Sequence, residues 1–385
     1  MMMAVYNPTP HHTTPHHTTP PYCPKIRIAI LSAYRSTLDD VFLWLCIKDP
    51  ELAARFVIDE ENPDYIIAGT HCFTSIDYCK RLRHYLHTRK NSIFIFIAEE
   101  CIEPDLNIFD YAVCWSTNLT DGDRIIHRIP WLYRMKTDTI LQNTLTLEEA
   151  AKLLENRHKF CNFIYSHPCE PRDTFFSQLS AYKRVDALGK HLHNTDTETS
   201  RFAPDWYALS IDMKRGYKFS MAMENATYRG YTTEKIVSSL EAHTVPIYWG
   251  DPAVAKYINP KAFINCHDYG SFDEVIERVK EIDSNDDLWL DMVTQPWQTE
   301  EQRSMTFQHV EDYEVFSHNI FTQDIRSARR RPEGVYGSRC QKGWTGYVGI
   351  MPPLYLRAAR RLRRIAGKFI PKSLKLKLKE LLHMA

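Results

Sequence analysis

The sequence predicts an alternating α/β protein built as two Rossmann-like halves facing a cleft, with a tail at each end. Three observations lead there. Runs such as IRIAIL at 26–31, SIFIFIA at 92–98 and VPIYW at 245–249 are apolar without alternation, as parallel strands covered on both faces are. Amphipathic helical stretches lie between these runs, which favours parallel sheets over hairpins. At 385 residues with 44% hydrophobic content, the chain is long enough for two cores.

Residues 1–24 hold the repeat HHTTP twice and almost no apolar side chain, so they are expected to be a disordered tail. Their four histidines invite weak metal chelation, but an idle tail explains them as well. The first half, 25–150, starts with a strand at 26–31 and a helix at 39–46. A strand at 65–68, a helix at 77–87 and strands at 92–98 and 110–115 follow. No GxGxxG follows the first strand, which speaks against a dinucleotide there. A helix at 146–159, N-capped by Thr144 or Thr146 with acids in its first turn, marks the junction.

The second half, 151–325, is expected to run as a strand at 159–165, a helix at 172–188 and a strand at 218–223. A helix at 234–242, a strand at 245–249 and helices at 272–282 and 308–321 complete it. From 326 to 385 the character changes. Arg329-Arg330-Arg331 opens this tail, and ten Lys or Arg with no acid lie between Arg357 and Lys379. Leu354, Ala358, Leu362, Ile365 and Phe369 fall at helical spacing with arginines on the other face. That is the pattern of a basic amphipathic helix on an anionic membrane surface. A solvated charged helix packed on the body, or a contact with another subunit or nucleic acid, is the alternative.

Lys+Arg and Asp+Glu both total 48, so overall charge gives no reason to expect a nucleic-acid binder. Ten cysteines without a CxxC suggest reduced thiols in a reducing compartment, not disulfides or zinc. The first residues lack a signal-peptide pattern, and no run of 18 apolar residues occurs.

The stretch 217–250 carries the candidate chemistry. A strand ends in Asn225, and a loop leads to Glu234-Lys235 at a helix start. Open backbone N–H groups there, with Lys235, suit a nucleotide diphosphate, and Glu234 suits a ribose diol. Taken alone, Glu-Lys opening a helix reads equally well as a surface pair.

The motifs in this stretch resemble the donor signature of the α1,3/4-fucosyltransferases, glycosyltransferase family 10, most closely the bacterial branch. Tyr217-Lys218-Phe219, Glu224-Asn225, Tyr231-Thr232-Thr233-Glu234-Lys235 and Val245-Pro246 carry the resemblance. Asn259-Pro260-Lys261-Ala262-Phe263 extends it, and weaker similarity runs from about 64 to 297. The resemblance implies a GT-B architecture, a GDP-fucose donor and inversion at the sugar carbon. It also implies donor contacts from Arg172, Asn225, Tyr231, Glu234 and Lys235, with Tyr207 a weaker candidate for a further tyrosine contact. The catalytic carboxylate it implies is Glu100, placed by the following Asn107-Ile108-Phe109-Asp110-Tyr111-Ala112. Glu99 and Glu103 stand close by, and no glycine precedes Glu100, so all three acids stay open as the base.

The implied partners are GDP-fucose, an N-acetyllactosamine-type acceptor and an anionic membrane surface, with no nucleic acid and no required cofactor or metal. The implied place is the cytoplasmic face of a bacterial inner membrane. Asp121-Gly122-Asp123 has the form of a metal-nucleotide motif but reads as a turn. His167, His243 and His267 lack metal-ligand spacing and read as structural. One competing reading keeps the GT-B fold but changes the donor or linkage; the other is a non-catalytic sugar-nucleotide-binding or membrane-scaffold protein. The joint presence of Glu100, Arg172, Glu234 and Lys235 argues against the non-catalytic reading.

Overall fold

The computed structural model describes residues 24–32, 37–129, 145–196 and 205–332, with 337 and 341. The N-terminal repeats and the basic amphipathic stretch lie outside the described residues.

The first unit is a six-stranded, wholly parallel sheet. Its strands are β1 (Ile26–Leu31), β2 (Phe56–Ile58), β3 (Tyr65–Gly69), β4 (Ile93–Ile97), β5 (Tyr111–Cys114) and β6 (Ile125–His127), in the order β2-β1-β3-β4-β5-β6. Helices α1 (Leu38–Trp44), α2 (Pro50–Ala53), α3 (His71–Thr74) and α4 (Ile76–Thr88) connect the strands. Every residue of β3, β4 and β5 is buried, which explains their unbroken apolar sequence.

Helix α5 (Leu147–Glu155) leads into the second unit. Of the two expected N-caps, Thr144 and Thr146, it is Thr146 that caps it, with a reciprocal bond pair to Glu149 that forms a capping box. The second sheet is also parallel, in the order β11-β10-β9-β7-β8. Its strands are β7 (Lys159–Phe163), β8 (Val185–Ala187), β9 (Tyr217–Met223), β10 (Val245–Trp249) and β11 (Ile264–Asn265). Around them lie α6 (Glu170–Tyr182), α7 (Trp206–Lys214), α8 (Glu234–Glu241), α9 (Phe272–Asp283) and α10 (Asp286–Thr294). The expected helix over 172–188 stops at Tyr182, because Val185 and Ala187 are taken into the sheet as β8.

The expected helix at 308–321 is the latter part of α11 (Glu300–Thr322), 23 residues long. Near its start, Gln302 Nε2 donates to Ala255 O in the second unit at 2.8 Å. Further on, Val310, Tyr313, Phe316, Ile320 and Phe321 enter the core of the first sheet, and Tyr313 OH donates to Trp44 O at 2.8 Å. The chain therefore returns to the first unit before residue 325, where the sequence reading ended the second half.

Arg329-Arg330-Arg331, expected to belong to the basic tail, extends that return. Arg331 pairs with Asp110 at 3.0 Å, with both side chains almost fully buried, and Arg330 pairs with Asp123. The backbone N–H groups of Arg330 and Arg331 also donate to Asp110, at 2.9 and 2.8 Å. These arginines fasten the end of α11 to the first sheet.

Candidate active site

The residues expected to bind the donor gather at the switch point of the second sheet. The two strands whose connections leave in opposite directions there are β7 and β9, and ligands of open parallel sheets enter at such a point. Beyond β7, Tyr165 is buried. Its hydroxyl donates to Met221 O and accepts from Met223 N, both at 2.7 Å. Arg172, in the first turn of α6, lies over the Tyr165 ring at 4.3 Å and donates to His167 O at 3.3 Å. Arg172 is 5% exposed, and its Nε has no hydrogen-bond partner among the described residues.

At the end of β9 stands Glu224, wholly buried. It accepts from Thr233 N at 2.8 Å, from Thr233 Oγ1 at 2.8 and 2.9 Å, and from Lys235 Nζ at 2.8 Å. Burial pushes the Glu224 carboxyl up, against the pull of Lys235. Burial works to lower Lys235, but the Glu224 and Glu234 carboxylates outweigh it and hold the ammonium above its ordinary value. For Glu234, 3.6 Å from Lys235, burial acts to raise the carboxyl, yet Lys235 and local N–H donors bring it below its ordinary range. Thr233 is the N-cap of α8 but gives its hydroxyl to Glu224 and makes no side-chain cap. The first turn of α8, beside Lys235, therefore has no side-chain cap from Thr233.

Glu224 was part of the motif but received no role from the sequence, and Tyr165 was not singled out. Both are found only from contacts: the charges of Arg172, Lys235 and Glu224 all act on the Tyr165 hydroxyl.

The loop between β9 and α8 crosses to the first unit. Tyr231 is 2% exposed and sits in an apolar cluster with Trp115, Phe109 and Ile108, its ring edge-on to Trp115 at 5.4 Å. Gly230 adopts a φ of 88°, and a Cβ there would fall 1.9 Å from Trp115 O. Only glycine allows this approach of loop to strand end. Tyr228 shares hydrogen bonds with Glu103 and with Ser116 Oγ.

Glu100 meets this loop directly. Its Oε2 accepts from Asn225 Nδ2 at 2.9 Å and from Tyr231 OH at 3.0 Å. Burial, with Glu224 and Glu100 nearby, keeps the Tyr231 phenol protonated as a donor. The three candidate acids thus face different partners. Glu99 turns back into the first unit, bonded to Ser32 Oγ at 2.8 Å and Thr70 N at 3.1 Å. Glu103 ties to Tyr228 and Ser116. Glu100 alone of the three reaches the expected donor residues Asn225 and Tyr231.

Tyr207 does not join them. Its hydroxyl donates at 3.3 Å to Glu241, at the far end of α8 from Lys235. Asp121 and Asp123 are bound by Arg124 and Arg330. His267 bonds Gly250 O at 3.1 Å and stacks on Trp249. Among the described residues no three His, Cys, Asp or Glu gather as metal ligands, and the eight described cysteines are free.

Two facing parallel α/β units, joined by a long helix that returns to the first, make a GT-B glycosyltransferase fold. Crystal structures of an α1,3-fucosyltransferase share it. The complex with GDP-fucose superposes with a TM-score of 0.58 at 22% identity, over 81% of this chain and 94% of that one. Residues 154–330, a little under half of the chain, match the family model described as glycosyltransferase family 10 (fucosyltransferase) C-term.

Among curated relatives, a fucosyltransferase-like protein of Acanthamoeba polyphaga mimivirus is 31% identical over 198 residues, 50% of this chain and 32% of its own. The α1,3-fucosyltransferase of Helicobacter pylori is 29% identical over 241 residues, 53% of this chain and 47% of its own. Human GDP-fucose protein O-fucosyltransferase 3 is 25% identical over 198 residues, 49% of this chain and 39% of its own. The chain spans about a third to a half of the length of these relatives.

Proposed function

We propose that this protein is an inverting fucosyltransferase. It moves L-fucose from GDP-fucose to a hydroxyl of N-acetylglucosamine in a lactosamine-type glycan, in α1,3 or α1,4 linkage. The observation that carries the reading is the meeting at Glu100 Oε2 of an acid from one unit with Asn225 and Tyr231 of the other. The family match over 154–330 and the named relatives support the donor.

In this reading GDP lies at the switch point of the second sheet. Arg172, Lys235 and the first-turn N–H groups of α8 carry the negative charge that grows on the diphosphate as the glycosidic bond breaks. Glu234 holds the ribose. The acceptor hydroxyl attacks the sugar carbon from the opposite side and gives its proton to Glu100. With Oε2 held by Asn225 and Tyr231, Oε1 takes that proton. No metal or cofactor is needed, since arginine, lysine and helix N–H groups supply the positive charge.

Glu100→Ala tests the central role. Transfer is lost while GDP affinity stays near that of the wild type. If transfer survives in Glu100→Ala and is lost in Glu103→Ala, the assignment is wrong. Thermal stabilisation by GDP and not UDP is the matching test of the donor; a shift with UDP alone rules out GDP-fucose.

The acceptor we propose is a surface polysaccharide precursor of the lipopolysaccharide type, modified to a Lewis-type structure at the cytoplasmic face of a bacterial inner membrane. The basic stretch from Arg357 to Lys379 supports this, since each basic residue near an anionic leaflet contributes about 1 kcal/mol. Truncation near Pro352 releases the protein from membranes; full retention in the membrane fraction refutes the anchor. A second reading keeps the donor and makes the acceptor a protein hydroxyl, favoured by the likeness to protein O-fucosyltransferase 3. Linkage analysis of products from disaccharide and protein acceptors separates the two.

A further inference from the structure

The first sheet has its own switch point, between β1 and β3, and the site above does not use it. A fixed polar cluster occupies the strand ends there. Glu99 Oε1 accepts from Ser32 Oγ at 2.8 Å. Its Oε2 accepts from Thr70 N at 3.1 Å and lies 3.3 Å from His71 Nδ1. In return, Thr70 Oγ1 accepts from the backbone N–H of Glu99 at 2.9 Å and of Glu100 at 3.2 Å. Ser32 and Thr70 are each 3% exposed. Gly69 closes the cluster, because a Cβ there would lie 2.5 Å from Glu99 Oε2.

The ends of β1 and β3 are thus tied to the residue next to Glu100 at the end of β4, and the Glu100 peptide itself is part of the tie. A carboxylate held by several donors has one orientation, and the backbone bonded to the same threonine has little freedom to turn. Glu100 points across to Asn225 and Tyr231 from this anchored backbone. We propose that Thr70 and Glu99 are positioning residues that aim Glu100 across the cleft. The inference rests on the reading of Glu100 as the proton acceptor. It gives Glu99 a role distinct from that of a second base: both its oxygens are engaged inside the first unit.

The test uses the full chain with GDP-fucose and N-acetyllactosamine, in Thr70→Val, Thr70→Ser and Gly69→Ala. Thr70→Val keeps the shape and removes the oxygen that holds two N–H groups; Gly69→Ala pushes on Glu99 from the other side. A misplacement of about 1 Å at a reacting group costs on the order of a hundredfold in rate, so kcat is expected to fall about tenfold or more in both. The GDP dissociation constant stays within about twofold, which separates a defect in transfer from loss of the donor half. Thr70→Ser restores kcat to within about threefold, because the hydroxyl is back. Wild-type kcat in Thr70→Val and Gly69→Ala overturns the proposal, as does loss of GDP affinity in parallel with kcat. If the wild type binds GDP but transfers fucose to no acceptor, the reading of Glu100 fails and this inference fails with it. An active wild type beside unaffected variants refutes the inference alone.

Discussion

Replacing Lys235 by methionine removes the counter-charge of a carboxylate that has no access to water. Lys235 Nζ lies 2.8 Å from Glu224 Oε2, and the Glu224 side chain is 0% exposed. In Lys235→Met, Glu224 keeps the N–H and hydroxyl of Thr233 but loses its cation. Orphaning a buried charge costs about 3–5 kcal/mol. Protonation limits that cost. Holding a carboxyl with an ordinary value of 4.5 in its protonated form at pH 7 costs about 3.4 kcal/mol, at about 1.36 per pH unit. At pH 5 the same limit is about 0.7 kcal/mol.

The sign follows from the direction of the shift. In the variant the folded-state value lies above the unfolded one. The stability it contributes is therefore present at low pH and lost as pH rises. Urea unfolding of wild type and Lys235→Met at both pH values is the assay. Because burial already raises Glu224 in the wild type, we expect a loss of at most about 3 kcal/mol at pH 7 that shrinks below about 1 kcal/mol at pH 5. A loss under about 0.5 kcal/mol at pH 7, or one equal at both pH values, refutes the reasoning. GDP affinity, read by calorimetry on the same variant, is expected to fall about tenfold or more with the loss of the proposed charge-assisted phosphate contact.

Further predictions concern the inter-unit contact, the clasp and a half-buried histidine. Gly230→Ala puts a side chain at a φ of 88° and against Trp115 O; transfer falls about tenfold or more and unfolding free energy drops by about 1–3 kcal/mol in urea titrations. Arg331→Met leaves Asp110 buried with backbone donors only, and denaturation should show a loss of about 3 kcal/mol. Burial pushes His243 down to about 4, whereas the unfolded chain takes up its proton near 6.5. Stability is therefore lost as pH falls from about 6.5 towards 4. His243→Asn, which tolerates the φ of 54°, is expected to flatten that slope in urea midpoints measured at pH 7 and pH 4.5.

Much of the candidate donor site could be read from the sequence because it is contiguous. Asn225, Tyr231, Glu234 and Lys235 lie within eleven residues, on a strand, loop and helix whose apolar pattern and polar gap are local signals. The choice among Glu99, Glu100 and Glu103 was not legible. Three acids within five residues have nearly the same local context; which one faces the other unit depends on the bonds each strand end makes.

The sequence alone determined the interior of both sheets, since central strands covered on both faces must be continuously apolar. The four strands it missed, β2, β6, β8 and β11, are the four sheet edges. Each has two or three residues, and half-covered edges need no apolar run. Tertiary structure alone turned Arg330 and Arg331 from tail residues into a clasp, because their partners Asp123 and Asp110 lie more than two hundred residues earlier. It also decided how the units meet. Tyr231 enters the first unit's core and Gly230 touches Trp115, contacts between distant segments that no local pattern records.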